Sequence, residues 1–183
     1  MEVKMLSKSA YLILGLVQKE SLNPYEIIKQ LEVFQIKNWY PIANSTVYAT
    51  IKTLRKQELV KGYSVKDSNA PERTVYEITE KGKIELQKKV KECIENISYD
   101  TVWFSIALLF LGIFDYKDIV LMCNERKKLL LKYRNGLSNQ IEKLRSRGVK
   151  QIEILSVLHN LKIIEAELSI VEEIERGCYN ATT

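Results

Sequence analysis

Ala43-Asn44-Ser45-Thr46-Val47-Tyr48-Ala49-Thr50-Ile51-Lys52-Thr53-Leu54-Arg55-Lys56-Gln57-Glu58-Leu59-Val60 is the stretch that decides the fold. Its period predicts an amphipathic helix. Val47, Ile51 and Leu54 fall at i, i+4 and i+7 and make one apolar stripe. The opposite face carries Ser45, Tyr48, Ala49, Lys52 and Lys56, small and hydroxylated first, then basic. A helix entering a DNA major groove needs that order: short or hydrogen-bonding side chains at base edges, and cations where phosphates pass. Downstream, Leu59–Val65 and Arg73–Ile78 alternate like strands, and the intervening Asp67-Ser68-Asn69-Ala70-Pro71 is rich in turn formers. Helix then two-stranded hairpin is the order of a winged helix.

Upstream, Ala10, Leu14 and Val17 line one face of a helix over residues 7–18, widened by Tyr11, Ile13 and Leu16, with Gly15 suited to close helix contact. Asn23-Pro24-Tyr25-Glu26 opens a second helix: Asn23 caps it, Pro24 suits its first position and Glu26 completes a capping box. This helix runs to about Phe34, with Ile27, Ile28 and Leu31 inward. In the loop that follows, Trp39 and Tyr40 either plug the underside of the domain or form one wall of an effector pocket. Beyond the hairpin, Thr79 caps a fourth helix from Glu80 to about Ile97, with Ile84, Leu86, Val90 and Ile94 as its apolar positions.

Around Ser98 the character changes, and a domain boundary is expected between residues 97 and 98. A helix over about Asp100–Leu111 is apolar nearly all round and should be buried. Asp115 and Asp118 open a long helix towards Arg147, along which Leu130, Tyr133, Leu137, Ile141 and Leu144 repeat, and Gly148 breaks it. In the last helix, about Val149–Arg176, Ile154, Val157, Leu161, Ile164, Leu168 and Val171 alternate in steps of three and four, a coiled-coil seam assigned to dimerisation. A second apolar row, Leu155, Ile163, Ala166, Ile170 and Ile174, lies beside it. One antiparallel neighbour within the chain covers one row. The other calls for a further partner, most simply the same helix of a second subunit. The expected fold is mainly α with a small β-hairpin wing: a winged helix-turn-helix over 1–97 and a helical dimerisation domain over 98–183.

Composition narrows the function by exclusion. The net charge of +5 is compatible with a polyanion but does not demand one. Its distribution is more telling, because Lys52, Arg55, Lys56, Lys61 and Lys66 between residues 50 and 66 face one acid, Glu58. Cys93, Cys123 and Cys178 have no metal-site spacing and read as small apolar side chains of a reduced, cytoplasmic protein. His159, the one histidine, sits among apolar neighbours and reads as structural. With no glycine-rich phosphate loop and no His/Cys cluster, nothing points to an enzyme, a metal or a cofactor. Leu12–Val17 is too short for a leader, and the apolar run Val102–Phe114, about 13 residues, is below the ~20 needed to span a bilayer.

The run Trp39-Tyr40-Pro41-Ile42-Ala43-Asn44-Ser45-Thr46-Val47-Tyr48, followed by Leu54, Leu59 and Val60, resembles the PadR family of transcriptional regulators. So does Pro71-Glu72-Arg73-Thr74-Val75-Tyr76-Glu77-Ile78-Thr79-Glu80-Lys81-Gly82, similar to that family's wing and the start of its fourth helix. Trp103, Phe104 and Leu109-Phe110-Leu111-Gly112 are similar to the first helix of the C-terminal domain in the larger, virulence-activator-type subgroup. The resemblance implies a dimeric winged-helix repressor or activator, most simply a repressor, with its third helix in the major groove and its wing along the backbone or minor groove; a dimer with its two recognition helices one DNA turn apart predicts an inverted-repeat operator. Tyr48 matches the family's tyrosine at the start of that helix. Ala70 stands where the wing usually has an arginine, leaving Lys66 and Arg73 to do more, and Asn44-Ser45-Thr46 departs from the common sequence at the reading end.

These readings together assign Ser45, Thr46 and Ala49 to base edges, Ala49 against a thymine methyl. Asn44, Tyr48, Lys52 and Lys56 fall to phosphates, Tyr25 and Lys29 to the backbone from the second helix, and Lys66 and Arg73 to the wing. The expected partners are double-stranded DNA and a second copy of the chain, with no membrane. A further expectation is an aromatic small-molecule effector between Trp39, Tyr99, Trp103 and Phe104. The rival readings are an effector-independent regulator, and an interaction module whose basic helix docks an acidic protein.

Overall fold

A computed structural model describes residues 6–66, 72–98 and 100–177. By its contacts the chain divides into two units. The first holds the residues up to Lys91 together with Asp100–Ile113, and the second holds Glu92–Tyr99 and everything from Phe114 onward. Residues 100–113, expected in the C-terminal half, therefore pack with the N-terminal elements.

The first unit is built on α1 (Lys8–Lys19), whose residues from Ser9 to Val17 are all buried. One buried face was expected. The helix is instead enclosed, because α2 (Pro24–Val33), α3 (Asn44–Lys56), β2 (Arg73–Ile78) and α5 (Val102–Leu109) all pack on it. Gly15 is where α5's C-terminal flank comes closest: a Cβ there would lie 2.3 Å from the ring of Phe110, itself buried. The expected close helix contact is thus made. α5 buries Phe104, Ile106 and Ala107 but leaves Val102, Trp103, Leu108 and Leu109 half-buried, so it is less enclosed than its composition predicts.

The start of α2 is as expected. Asn23 Oδ1 accepts from the N–H groups of Tyr25 and Glu26, and Glu26 Oε2 accepts from Asn23 N–H at 2.8 Å, a complete capping box. A short 3-10 turn, Ile36–Asn38, leads on to α3, and Tyr40 Oη lies 2.8 Å from Ser9 Oγ on α1.

α3 ends at Lys56, not at Val60. Glu58 takes a left-handed conformation (φ 60°), and β1 (Val60–Val65) then begins. β1 pairs antiparallel with β2 from Val60↔Ile78 to Val65↔Arg73. The hairpin turn and Ala70 lie outside the described residues. Leu22, between α1 and α2, adds a bridge to β2, exchanging hydrogen bonds with Tyr76 at 3.0 and 2.9 Å.

The turn after α3 is clamped to the start of α4 (Glu80–Glu95). Thr79 Oγ1 donates to the Glu58 carbonyl at 2.7 Å and accepts from Gly82 N–H at 3.1 Å, the expected cap, while Thr79 N–H donates to the Leu59 carbonyl. Gly82 allows the approach, since a Cβ there would stand 2.2 Å from Leu59 O, a backbone atom that cannot swing aside. Gly82→Ala is therefore expected to destabilise the protein by about 1–3 kcal/mol, read as a lower urea midpoint. An unchanged midpoint would show that this junction has slack. Along α4, Leu86, Val90 and Ile94 are buried as expected, but Ile84 is 65% exposed and does not belong to the core.

The second unit is an antiparallel hairpin of α6 (Tyr116–Ser146) and α7 (Gln151–Glu175), with the end of α4 packed on it. Gly148 breaks the two helices at φ +70°, as expected. Ile141, Ile154 and Leu161 form a core cluster, with Leu137, Leu144, Val149, Val157 and Leu158 against it. Ile154, Leu161, Ile164, Leu168 and Val171 are all buried. The seam assigned to dimerisation is thus taken up inside the chain, because α6 supplies the antiparallel neighbour. In the second row, Leu155 and Ile170 remain 45% and 43% exposed. His159 is exposed and not enclosed by apolar neighbours. Cys123 is fully buried, and burial, helped by Glu175 and opposed by Arg126, pushes its thiol pKa up to about 11. Cys178 lies outside the described residues.

Within the described residues no helix is long and apolar enough to cross a membrane, and no cluster of His, Cys, Asp and Glu could hold a metal ion.

Candidate functional site

α3 buries Val47, Thr50, Ile51 and Leu54 against the first unit. That leaves Ser45, Ala49, Lys52 and Lys56 as one exposed stripe at steps of four, three and four. Asn44 is exposed and Thr46 half-buried, so Thr46 stands at the flank of the stripe. Tyr48 is 49% exposed and does not belong to the core. Among the described residues, no ion pair engages Lys52, Arg55 or Lys56.

The N-terminus of α3 differs from that of α2. Ala43 offers no side-chain cap, so the first N–H groups and the positive end of the helix dipole remain available to an anion. Lys37 sits beside this end. Its Nζ donates to Asn44 Oδ1 at 3.2 Å and pairs with Glu32 at 3.2 Å. Lys37 was not anticipated, because it lies in an irregular segment that has no period. The contact places a lysine beside Asn44.

On α2, Tyr25 is 63% exposed and Lys29 Nζ lies 5.5 Å from its ring centre, one turn apart. In the wing, Lys66 is exposed, whereas Arg73 Nη1 is bound to Glu26 Oε1 at 3.0 Å. Glu26 therefore joins the capping box to the wing. A pair this exposed is worth at most about 1 kcal/mol, little enough for a phosphate to replace the carboxylate. Lys61 is held by Glu77 at 2.6 Å, the residue directly across the hairpin, and this contact raises its pKa.

Two of the residues expected to hold an effector, Trp103 and Phe104, pack within the first unit. Lys89 Nζ lies 4.4 Å from the Trp103 ring centre and Lys8 Nζ 5.6 Å from it, and Tyr11 meets that ring edge-on at 5.8 Å. Lys8 is in turn paired with Asp100. Phe104 is buried and Trp39 half-buried. Tyr99 lies outside the described residues. Trp103 and Phe104 are accounted for as packing of the first unit.

The comparisons bear on the same region. The profile of the family described as "Transcriptional regulator PadR-like family" matches residues 13–88, from α1 through α3 and the wing into α4. An uncharacterised protein from Lysinibacillus sphaericus is 32% identical over 84 residues, covering 46% of this chain and 76% of the relative. The chain belongs to the PadR-like family. This is a family of transcriptional regulators, not of enzymes, and the winged helix is the part that carries its signature. Among solved structures, a PadR family regulator from Clostridium difficile is 26% identical, covering 47% of this chain and 86% of that one (TM-score 0.42). Bacillus subtilis PadR in complex with operator DNA is 19% identical, covering 90% and 96% (TM-score 0.41). A PadR-like regulator from Bacillus cereus is 20% identical, covering 96% and 99% (TM-score 0.42).

Proposed function

We propose that this PadR-like regulator binds double-stranded DNA as a homodimer at an inverted-repeat operator and represses transcription there. The first unit binds DNA and the α6–α7 hairpin of the second forms the dimer, in place of a division at residues 97 and 98. The observation that carries the reading is the stripe Ser45–Ala49–Lys52–Lys56, exposed on the face of α3 opposite its buried side. Ser45, Thr46 and Ala49 meet base edges. Asn44, Tyr48, Lys52 and Lys56 hold phosphates and set the register, joined by Lys37. Tyr25 and Lys29 touch backbone from α2, and Lys66 and Arg73 from the wing. The dimer face is the second row of α7, because the first is covered by α6. In a two-fold dimer the two α3 helices stand about 34–36 Å apart, one turn of DNA. The effector expected at Trp39, Tyr99, Trp103 and Phe104 is left out, since cations already cover Trp103.

A gel shift with the DNA upstream of the protein's own gene tests the reading. A retarded band that survives excess unrelated DNA is expected. Binding to an acidic protein with no preference for that DNA would favour an interaction module. Lys52→Ala should weaken binding about equally on all sequences and lower the slope of log affinity against log salt by about one. A changed sequence preference would move Lys52 from phosphates to bases.

A further inference from the structure

The second unit contains a cavity of about 100 Å³ between the end of α4, α6 and α7. An apolar cavity of about 150 Å³ accepts benzene, and a single water needs only about 10–15 Å³, so this one has room for several non-hydrogen atoms. Ile97, Leu137, Ile163 and Ile164 give it apolar walls. Tyr133 also lines it and is 47% exposed, leaving an opening to solvent.

One charged side chain lines the cavity, the carboxylate of Glu167, which is only 7% exposed. Its Oε2 accepts from Arg126 Nη2 at 2.6 Å. Among the described residues no hydrogen bond falls on Oε1, although a carboxylate oxygen has two acceptor sites. Arg126 does not make the cavity positive. Its Nη1 is turned to the carbonyls of Cys93, Ile94 and Asn96 at 3.0, 3.0 and 2.7 Å, the negative end of α4. An anion entering here would meet a carboxylate. A neutral apolar molecule would cut Oε1 off from water without replacing the lost hydrogen bonds. An ammonium group would gain a charge-assisted hydrogen bond and a favourable contact with the tyrosine ring.

We propose that this cavity binds a small organic cation, an amine with an apolar body, whose ammonium group meets Glu167 Oε1 and whose body lies among Tyr133, Leu137 and the isoleucines. The site does not rest on DNA binding and is tested without DNA. Benzylamine, benzyl alcohol and benzoate are close in size and differ in charge, and their ring, larger than the cavity itself, fits by reaching out through the opening at Tyr133. In calorimetric titrations of the full chain at neutral pH, benzylamine should bind at least tenfold more tightly than benzyl alcohol, and benzoate should give no binding heat. Tyr133→Leu should weaken benzylamine about threefold to tenfold while leaving the circular dichroism spectrum unchanged. Glu167→Gln should bring the amine and the alcohol to similar affinity. Because that change disturbs a buried pair, Tyr133→Leu at a half-exposed position keeps the test decisive if Glu167→Gln does not fold. No heat from benzylamine at millimolar concentration, equal binding of all three probes, or indifference to Tyr133→Leu would each overturn the site.

Discussion

Replacing Arg126 with alanine is expected to cost about 3–5 kcal/mol of stability. The guanidinium is 1% exposed in the middle of α6 and makes two kinds of contact at once. It donates to Glu167 on α7, and to three carbonyls in and just beyond the last turn of α4. Those carbonyls lie at the C-terminal end of α4, so Arg126 acts as a cap brought from another element. Burial lowers its pKa, and Glu167 beside it opposes that shift. Removing Arg126 strands a carboxylate that is itself buried, and the cost of an uncompensated charge, more than the lost attraction, sets the size of the effect. The double variant Arg126→Met/Glu167→Met should be markedly more stable than either single replacement by alanine, because it removes both charges and fills the space. It should still fall short of the parent, since the α4 carbonyls stay uncapped. Urea denaturation of the four proteins checks this. A double variant as unstable as Arg126→Ala would mean that capping α4, not the ion pair, is the dominant role.

Arg126 also shows where the sequence stopped being legible. The helix around it was recognised from its apolar repeat, but Ile119, Cys123, Arg126 and Leu130 continue the same steps of four, three and four. A charge at a core step was the available signal, and Glu167 between Ile164 and Leu168 was its counterpart. Local features were read well because their cause is local. The Asn23–Glu26 box, the Thr79 cap, the break at Gly148 and the apolar stripe of α3 each depend on residues within one or two turns. What failed needed knowledge of neighbours. α1 is enclosed on all sides only because α5 joins the first unit, and Leu22 forms a single β-bridge only because Tyr76 is there to receive it. The end of α3 was missed for a different reason: Glu58 adopts the left-handed conformation usually announced by glycine. At the candidate DNA interface, the face of α3 was legible, whereas the Arg73–Glu26 pair and Lys37 beside Asn44 required the folded chain.

The second large effect is expected at Ile170. α7 has apolar residues on two sides, and α6 covers one of them. On the other, Ile152, Leu155 and Ile170 are 70%, 45% and 43% exposed, large apolar side chains on the side of α7 away from its buried seam. A two-fold dimer sets each patch against its own copy, so Ile170→Glu brings a carboxylate to both sides of the interface at once. The substitution lies at the surface of the single chain, so the monomer should stay folded with an unchanged helical spectrum. Analytical ultracentrifugation at micromolar concentration should show the parent as a dimer and the variant as a monomer. Affinity for an operator with two half-sites should then fall about 100-fold or more, because the second half-site no longer benefits from tethering. Affinity for a single half-site should barely change, since α3 and the wing are untouched. A variant that remains dimeric would place the interface elsewhere on the chain. A parent that is monomeric would remove the dimer from the proposal and leave α3 to act alone.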